Sequence, residues 1–173
     1  MKIFRLLFFS FLVLFLLVTG ISLFIPSHIR ISKAIDIAAT ADTVLSQVNE
    51  PSKWKNWFPG LESSKLFYEA GIVKGVIISD SSGQYIKIIE TKKDEIITEL
   101  RSGTKKIVSG WKIIGNDRSD TTILQWYMDF QLRWYPWEKF SSLLFEKSYG
   151  PKMEQGLNNI KKIAEAAHRT SIN

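Results

Sequence analysis

The chain has 173 residues, a formal net charge of +6 and 45% hydrophobic residues, which is enough for one domain with a substantial core. It contains no cysteine, so a cysteine nucleophile is excluded and the redox compartment stays undecided. Its basic residues are scattered and form no dense stripe of Lys and Arg, so we expect no nucleic-acid partner.

The first segment, from Leu6 to Ile25, carries no charge and consists mostly of Leu, Phe, Val and Ile. A helix needs about 20 such residues to cross the hydrocarbon layer of a bilayer. We therefore predict an uncleaved transmembrane anchor over residues 1–26, a folded domain over residues 27–168 and a short tail over residues 169–173. The alternative is a signal peptide cleaved near the small residues Val18-Thr19-Gly20.

Basic residues on the two sides of this span set the expected topology. Lys2 and Arg5 precede it, and Arg30 and Lys33 follow it. This slight bias predicts a single-pass membrane protein with its N-terminus in the cytoplasm and its domain outside, in the periplasm or extracellular space. Because the domain begins only a few residues after the span, we expect it to lie against the bilayer surface.

The domain opens with a strand and two short helices. Isoleucines alternate with other residues between Ile29 and Ile37, which predicts the strand. Thr40 is a suitable N-cap for a first short helix, which Pro51 ends. The next residues, PSKWKNWFPG, predict a second short helix on which Trp54 and Trp57 share one face.

Six further strands follow, separated by short turns rich in Gly, Ser, Asn, Asp and Lys. Connections this short join antiparallel neighbours, so the pattern predicts a meander. The predicted strands are Lys65 to Glu69, Val73 to Asp80, Gln84 to Thr91, Glu95 to Arg101, Lys105 to Ile114 and Thr121 to Leu132. The last strand carries large apolar residues on one face and polar residues, including Asp129, on the other.

The chain ends in an amphipathic helix, in which apolar residues recur at spacings of three and four between Met153 and Ala167. Gly150-Pro151 predicts a break or a kink between this helix and an earlier helical stretch from Trp137 to Tyr149. Gly156 lowers helix stability by roughly 1 kcal/mol relative to alanine, so we expect it to make room for a neighbouring group.

This order of elements, with Ala41-Asp-Thr-Val44, Trp54-Lys-Asn-Trp57-Phe-Pro59 and Gly156-Leu-Asn-Asn-Ile-Lys-Lys162, resembles the START-like (SRPBCC) superfamily of polyketide cyclases and lipid-transport proteins. The resemblance covers everything after the anchor. It implies an α+β helix-grip fold, in which an antiparallel sheet of about seven strands wraps around a long C-terminal helix. It also implies a cavity between sheet and helix that takes hydrophobic ligands.

Large apolar residues on the facing elements are the expected lining of this cavity. The alternative for each of them is ordinary packing in the core. The candidates are Trp111, Trp126, Met128 and Phe130 from the sheet, Met153, Leu157 and Ile160 from the C-terminal helix, and Trp54 and Trp57 from the second short helix.

Residues suited to catalysis are few. His28 lies beside the predicted membrane span and His168 in the C-terminal region, so a histidine base in the middle of the fold is not available. The sequence contains no phosphate-binding loop and no metal-ligand spacing, and we expect no cofactor and no metal. Glu90 and Thr98 are the candidates for inward-pointing polar groups, while alternation places Asp129 on the face opposite Trp126.

A second aromatic cluster, Trp134-Tyr135-Pro-Trp137, lies in the connection between the last strand and the following helix. These side chains have three candidate roles: joining strand to helix, contacting lipid headgroups, or lining the cavity mouth. The predicted function is membrane-anchored binding of a hydrophobic small molecule or lipid, without chemistry. The alternatives are an enzyme of the cyclase or dehydratase type and a membrane-tethered interaction module with a filled core.

Overall fold

A seven-stranded antiparallel sheet with the order β1-β7-β6-β5-β4-β3-β2 forms the body of the domain. The computed structural model describes residues 2–115 and 121–172. Strands adjacent in sequence pair with each other from β2 to β7, and β1 pairs with β7. The strands are β1 His28–Ile37, β2 Lys65–Glu69, β3 Ile72–Ser79, β4 Gln84–Thr91, β5 Glu95–Ser102, β6 Lys105–Ile114 and β7 Thr122–Gln131.

The helices frame this sheet. They are α1 Lys2–Ser22, α2 Ala41–Asn49, a 3-10 helix Pro51–Asn56, α3 Pro136–Ser142 and α4 Phe145–Ile172. The long helix α4 packs on β1 and α2, and Met153, Leu157, Ile160 and Ala164 on its inner side are all buried. This arrangement confirms the predicted α+β helix-grip fold, with strand bounds within one residue of those expected from alternation.

Of the break or kink predicted at Gly150-Pro151, the break is wrong. Helix α4 continues through both residues, and the interruption lies earlier, at Leu143-Leu144 between α3 and α4. Pro151 has no N–H, so the carbonyl of Lys147 loses its helical partner. Because Lys147 and Pro151 are both exposed, water can satisfy this carbonyl and the helix persists.

Four tryptophans fill the centre of the core between the sheet, the 3-10 helix and α4. The register of β6 and β7 places Trp111 directly opposite Trp126, with ring centroids 5.3 Å apart. Trp57 meets both rings edge-on, at 5.7 and 6.2 Å. Trp54 lies 6.0 Å from Trp111, and all four side chains are at most 2% exposed.

The two tryptophans of the PSKWKNWFPG segment also hold α2 in place. The indole N–H of Trp54 donates to the carbonyl of Val48 at 2.7 Å, and that of Trp57 donates to the carbonyl of Gln47 at 3.1 Å. Both carbonyls lie in the last turn of α2, where no intrahelical donor is available. These side chains therefore pack in the core and also cap the C-terminal end of α2.

Helix α1 projects from this domain. It is the one described helix that is long and apolar enough to cross a membrane, and its apolar side chains are exposed instead of buried in the domain. Near its C-terminal end Ser22 is buried and residues 18–20 are half-buried, and α1 contacts α3. A membrane anchor and a signal sequence are both consistent with a helix of this length and composition.

Candidate ligand cavity

A cavity of about 220 Å³ lies between the middle of the sheet and the N-terminal half of α4. We call it the inner cavity. Residues from β3 to β7, the loop after the 3-10 helix and α4 surround it: Phe58, Pro59, Gly60, Leu61, Ile78, Ile86, Thr98, Leu100, Ser109, Trp111, Trp126, Met128, Tyr149, Lys152 and Met153. This lining is mostly aliphatic and aromatic, as in sites for hydrophobic ligands.

Thr98 and Ser109 each place a hydroxyl group in the lining. Both hydroxyls already form hydrogen bonds within the protein. Thr98 donates its hydroxyl to the carbonyl of Ser109 at 3.1 Å. The Ser109 hydroxyl donates to the carbonyl of Tyr127 at 3.0 Å and accepts the indole N–H of Trp126 at 2.8 Å. Since each hydroxyl has a single proton to donate, neither keeps a donor for a ligand, and the inner cavity offers mainly apolar contact.

Trp111 differs from the other three core tryptophans. Its indole N–H is buried and finds no acceptor among the described residues. The rings of Trp54, Trp57, Phe58 and Trp126 surround it at centroid distances of 5.3 to 6.3 Å. The geometry of this aromatic cluster is therefore set by ring packing at Trp111, not by a hydrogen bond.

Gly156 allows the sheet to approach α4 closely. A Cβ atom at this position would lie 2.7 Å from Cζ3 of Trp126 and 3.3 Å from Cδ of Pro59. Real Cβ atoms do not approach heavy atoms to 2.7 Å, so no larger residue fits unless the indole moves. The expectation that Gly156 makes room for a neighbouring group is confirmed, and that group is Trp126.

A second space, of about 430 Å³, opens between the ends of β6 and β7 and the α3–α4 segment. We call it the outer cleft. Its lining mixes basic and apolar side chains: Thr104, Lys105, Lys106, Ile107, Phe130, Gln131, Leu132, Arg133, Glu138, Ser141, Phe145 and Tyr149.

Three aromatic rings of the outer cleft pack against one another. Phe130 lies 4.7 Å from Phe145 and 5.0 Å from Tyr149, measured between ring centroids. Tyr149 lines both spaces, and it is half-buried. Tyr149 is therefore the residue common to the two linings.

The structure distributes the predicted cavity residues among three places. Trp111, Trp126, Met128 and Met153 line the inner cavity. Phe130 lines the outer cleft. The remaining candidates are buried in the core outside both linings: Trp54, Trp57, Leu157 and Ile160. For all of these residues, contact with a ligand stays a prediction.

Sequence reasoning missed part of the lining. Ile78 and Ile86 lie on strands whose alternation was recognised, so their inward direction was available from the same pattern that identified Trp126. Leu61 and Tyr149 carried no such signal, because their positions depend on how a loop and a helix dock on the sheet. Lys152 lies at the rim, where it is exposed to solvent.

Glu90 and Thr98, the two candidates for inward-pointing polar groups, lie on different sides of the sheet. Glu90 is exposed and lies 3.8 Å from Lys92, so it takes the surface position that was the alternative to an inward direction. The cause is a register shift in the pairing of β4 with β5 between Ile88 and Glu90, which interrupts the alternation. Thr98 does point inward and is fully buried. Among the described residues, no group of three or more His, Cys, Asp or Glu side chains is placed to hold a metal.

Asp129 lies on the outer face of the sheet, as alternation predicts, and forms part of a charged network there. It accepts two hydrogen bonds from Arg30, both 2.7 Å long. The Arg30 guanidinium lies 4.3 Å from the ring centroid of Tyr127, whose hydroxyl donates to Glu95 at 2.9 Å. Burial and the hydrogen bond to Glu95 raise the pKa of Tyr127 to about 12.

The aromatic cluster after β7 does not line a cavity mouth, whereas its ring contacts run from the end of the strand to α3, consistent with joining strand to helix. Contact with lipid headgroups stays a prediction. Trp134 and Trp137 are each 62% exposed, and neither lines the inner cavity or the outer cleft. Tyr135 lies between them, with ring centroids 4.9 Å from Trp134 and 4.8 Å from Trp137. The cluster therefore presents indole surface to the surroundings of the domain.

Comparisons with known proteins agree with this geometry. The family model described as "Polyketide cyclase / dehydrase and lipid transport" matches residues 28–165. No curated protein matches the chain. Similar solved structures include a START superfamily protein from Mycobacterium smegmatis, with a TM-score of 0.53 and 18% identity, covering 82% of this chain and 98% of that one.

Two enzymes are among the other similar structures. An aromatase/cyclase from Streptomyces has a TM-score of 0.56 and 16% identity, covering 80% of this chain and 94% of its own. Norcoclaurine synthase from Thalictrum flavum has a TM-score of 0.58 and 14% identity, covering 79% and 94%. At such low identity these structures share the fold alone with this chain. The family model covers most of the chain, which therefore belongs to the polyketide cyclase/dehydrase and lipid transport family.

Proposed function

We propose that this protein is a membrane-anchored binder of a hydrophobic small molecule or lipid, whose apolar part enters the inner cavity. The observation that carries this proposal is the lining of that cavity. Its walls are mostly aliphatic and aromatic, and its buried hydroxyls on Thr98 and Ser109 are bonded within the protein. Burial of apolar ligand surface, at about 25 cal/mol per Å², would then drive uptake.

The size of the inner cavity limits what it accepts. Ligand pockets for drug-sized molecules usually measure about 300–1,000 Å³, and the inner cavity, at about 220 Å³, is smaller. The outer cleft adds about 430 Å³ on the far side of Tyr149. A ligand with a long apolar chain would therefore place its end in the inner cavity and the rest in the outer cleft, with Tyr149 displaced.

The proposed anchor is α1. Its 21 residues rise by 1.5 Å each and so extend about 30 Å, close to the thickness of the hydrocarbon layer. The flanking basic residues favour a cytoplasmic N-terminus and an external domain. An anchored binder would meet its ligand at the membrane, where hydrophobic molecules and lipids are concentrated. An intact N-terminus on the mature protein would support the anchor over a cleaved signal peptide.

A cyclase or dehydratase would need an ionisable group directed at its substrate. In the inner cavity, the ionisable lining residues are Tyr149 and the solvent-exposed Lys152. Glu90, the carboxylate considered for this role, lies outside on the solvent side. These positions favour binding over chemistry as the proposed activity.

The test measures the affinity of the full-length protein in detergent micelles for a fluorescent fatty acid, and compares the wild type with two variants. Ile78→Phe places a larger side chain in the inner cavity. Ile123→Phe makes the same change on the other face of the sheet, where Ile123 of β7 is exposed. We expect Ile78→Phe to weaken binding about tenfold, equivalent to about 1.4 kcal/mol, and Ile123→Phe to leave it unchanged.

Native mass spectrometry of the wild-type protein extracted from membranes provides the second measurement. Bound mass of lipid size should be present in the wild type and reduced in Ile78→Phe. A wild-type protein that carries no such mass and does not bind the probe would contradict the proposal. Equal weakening by both variants would show that the effect comes from the sheet in general and not from the inner cavity.

A further inference from the structure

Residues 134–144 expose an unusual amount of apolar surface. Trp134, Trp137, Leu143 and Leu144 are each between 61% and 65% exposed, although they lie within eleven positions of one another. We call this surface, formed by α3 and the residues at its two ends, the α3 patch. Single exposed apolar residues are normal on a soluble domain, but four large ones within eleven positions of the chain indicate an interaction site.

The opposite side of α3 is held against the last turn of α1. Pro136, Lys139 and Ser142 are buried on that side, and Ser22 of α1 is buried as well. The Lys139 ammonium donates to the carbonyl of Ile25 and to the hydroxyl of Ser27, both at 2.7 Å. These bonds fix the short connection between α1 and β1, so α3 has a defined position beside the end of α1.

This position corresponds to the edge of a bilayer. When α1 spans the hydrocarbon layer, its last turn lies at the depth where that layer meets the headgroups. The side chains of the α3 patch are of the type found at this depth, since tryptophan is enriched at both membrane–water interfaces. Arg133, 64% exposed and 3.3 Å from Glu138, precedes the α3 patch. Lys105 and Lys106 line the neighbouring outer cleft, with Lys106 3.5 Å from Glu99. Two of these three basic groups therefore have a carboxylate partner, and it is the tryptophans and the position of α3 that indicate the interface.

We propose that the α3 patch inserts into the membrane interface beside the anchor and holds the domain in one orientation on the bilayer. This inference rests on the proposed function only for the role of α1 as an anchor. Glu138 and Ser141 of α3 line the outer cleft, so insertion of the α3 patch places the mouth of that cleft at the membrane surface. A lipid-like ligand then passes between bilayer and outer cleft without crossing bulk water.

The absence of cysteine from the sequence makes a direct depth measurement possible, because any introduced cysteine is the single site of labelling. Full-length single-cysteine variants at Trp137 and Leu143 would carry a nitroxide label in nanodiscs containing anionic and zwitterionic phospholipid. Ile72→Cys is the matched control, since Ile72 is an apolar residue, 61% exposed, at the opposite end of the sheet. Phe15→Cys, in the middle of α1, reports on the anchor.

Electron paramagnetic resonance then compares collisions of each label with oxygen, which partitions into lipid, and with a water-soluble nickel chelate. We expect the oxygen-to-nickel collision ratio at positions 137 and 143 to exceed that at position 72 several-fold, and to lie below that at position 15. The labelled positions are exposed, so the substitutions should leave the fold intact. Circular dichroism of each labelled variant checks that the fold is retained.

Ratios at positions 137 and 143 equal to that at position 72 would overturn the proposal and leave the α3 patch as a contact for another protein. A low ratio at position 15 would overturn it as well, because α1 would then not be in the bilayer. Fatty-acid binding is measured separately. Failure of ligand binding with high ratios at 137 and 143 would therefore contradict the proposed function and leave the docking surface intact.

Discussion

Tyr127 shows how one glycine determines the environment of a large side chain on the outer face of the sheet. Gly110 lies directly opposite Tyr127 in the pairing of β6 with β7, and a Cβ at Gly110 would lie 2.4 Å from the tyrosine ring. The ring lies across the bare backbone of Gly110 and becomes 6% exposed. The ring is thus shielded from solvent, while the hydroxyl donates a hydrogen bond to Glu95.

This burial predicts a dependence of stability on alkaline pH. The pKa of Tyr127 rises from an ordinary value of 10.0 to about 12 in the folded protein. A raised pKa means that the folded state holds the proton more tightly, so the stabilisation is complete below pH 10 and is lost as pH rises towards 12. The two-unit difference corresponds to at most about 2–3 kcal/mol.

Urea unfolding followed by tryptophan fluorescence in micelles measures this effect, with Tyr127→Phe as the control. The variant loses the hydrogen bond to Glu95, so it should be less stable than the wild type below pH 10. The difference in unfolding free energy between the two proteins should shrink as pH approaches 12. A difference that stays constant across this range would contradict the assigned pKa.

Alternation in the sequence identified the faces of most strand residues, and the exceptions have local causes. Trp126 and Asp129 lie on opposite faces as predicted, because β7 pairs without a register shift along its length. Glu90 follows a shift in the pairing of β4 with β5, and nothing in its own sequence indicates that shift. The indole bonds of Trp54 and Trp57 to α2 were not predictable either, since they depend on the packing of two separate elements.

At the scale of the element, α4 contains two residues of low helix propensity. It contains Pro151 in its interior and Gly156 in its buried face, although both residues disfavour a helix. Tertiary packing explains both, because Met153, Leu157, Ile160 and Ala164 bury an apolar stripe against the sheet. The sequence period predicted this stripe, whereas the continuity of α4 across Pro151 depends on the packing and on solvent access at Lys147.

Gly156→Ala separates helix preference from packing. Alanine would favour the helix by about 1 kcal/mol, but its Cβ would meet the indole of Trp126 at 2.7 Å. Overpacking of a core typically costs about 1–3 kcal/mol, and Trp126 is fixed by its bond to Ser109. We therefore expect a net loss of stability of about 1 kcal/mol, together with a change in near-ultraviolet circular dichroism from the displaced tryptophan.

Gln155→Ala is the control for this substitution, since Gln155 is the exposed neighbour in the same helical turn. It should leave both stability and the near-ultraviolet spectrum unchanged. An increase in stability for Gly156→Ala with an unchanged spectrum would show that α4 can move away from the sheet. In that case the close approach at Gly156 would not be required by the aromatic cluster.

At the scale of the whole molecule, α1, the proposed anchor, meets the domain at its C-terminal end. Helix α1 contacts α3, and Ser22 of α1 is buried there. Lys139 is 4% exposed there and bonds to Ile25 and Ser27 on the connection between α1 and β1. The sequence indicated that anchor and domain lie close together, but it did not identify α3 as the element that joins them, because that contact links residues more than a hundred positions apart.

Lys139→Met tests whether this contact fixes the domain relative to the anchor. Methionine keeps most of the buried volume and removes both hydrogen bonds, so the domain should stay folded, while the connection at residues 23–27 gains freedom. Nitroxide labels at Leu23→Cys and Ile72→Cys in nanodiscs, read by double electron–electron resonance, should give a narrow distance distribution in the otherwise unchanged protein. The same pair of labels should give a clearly broader distribution once Lys139→Met is added.

Lys147→Met is the matched control, because Lys147 is an exposed lysine on α4 whose replacement leaves the contact between α1 and α3 untouched. It should leave the distance distribution as narrow as in the protein that carries the labels alone. A narrow distribution in Lys139→Met would mean that packing of α3 on α1, without the two hydrogen bonds of the lysine, is enough to orient the domain relative to α1.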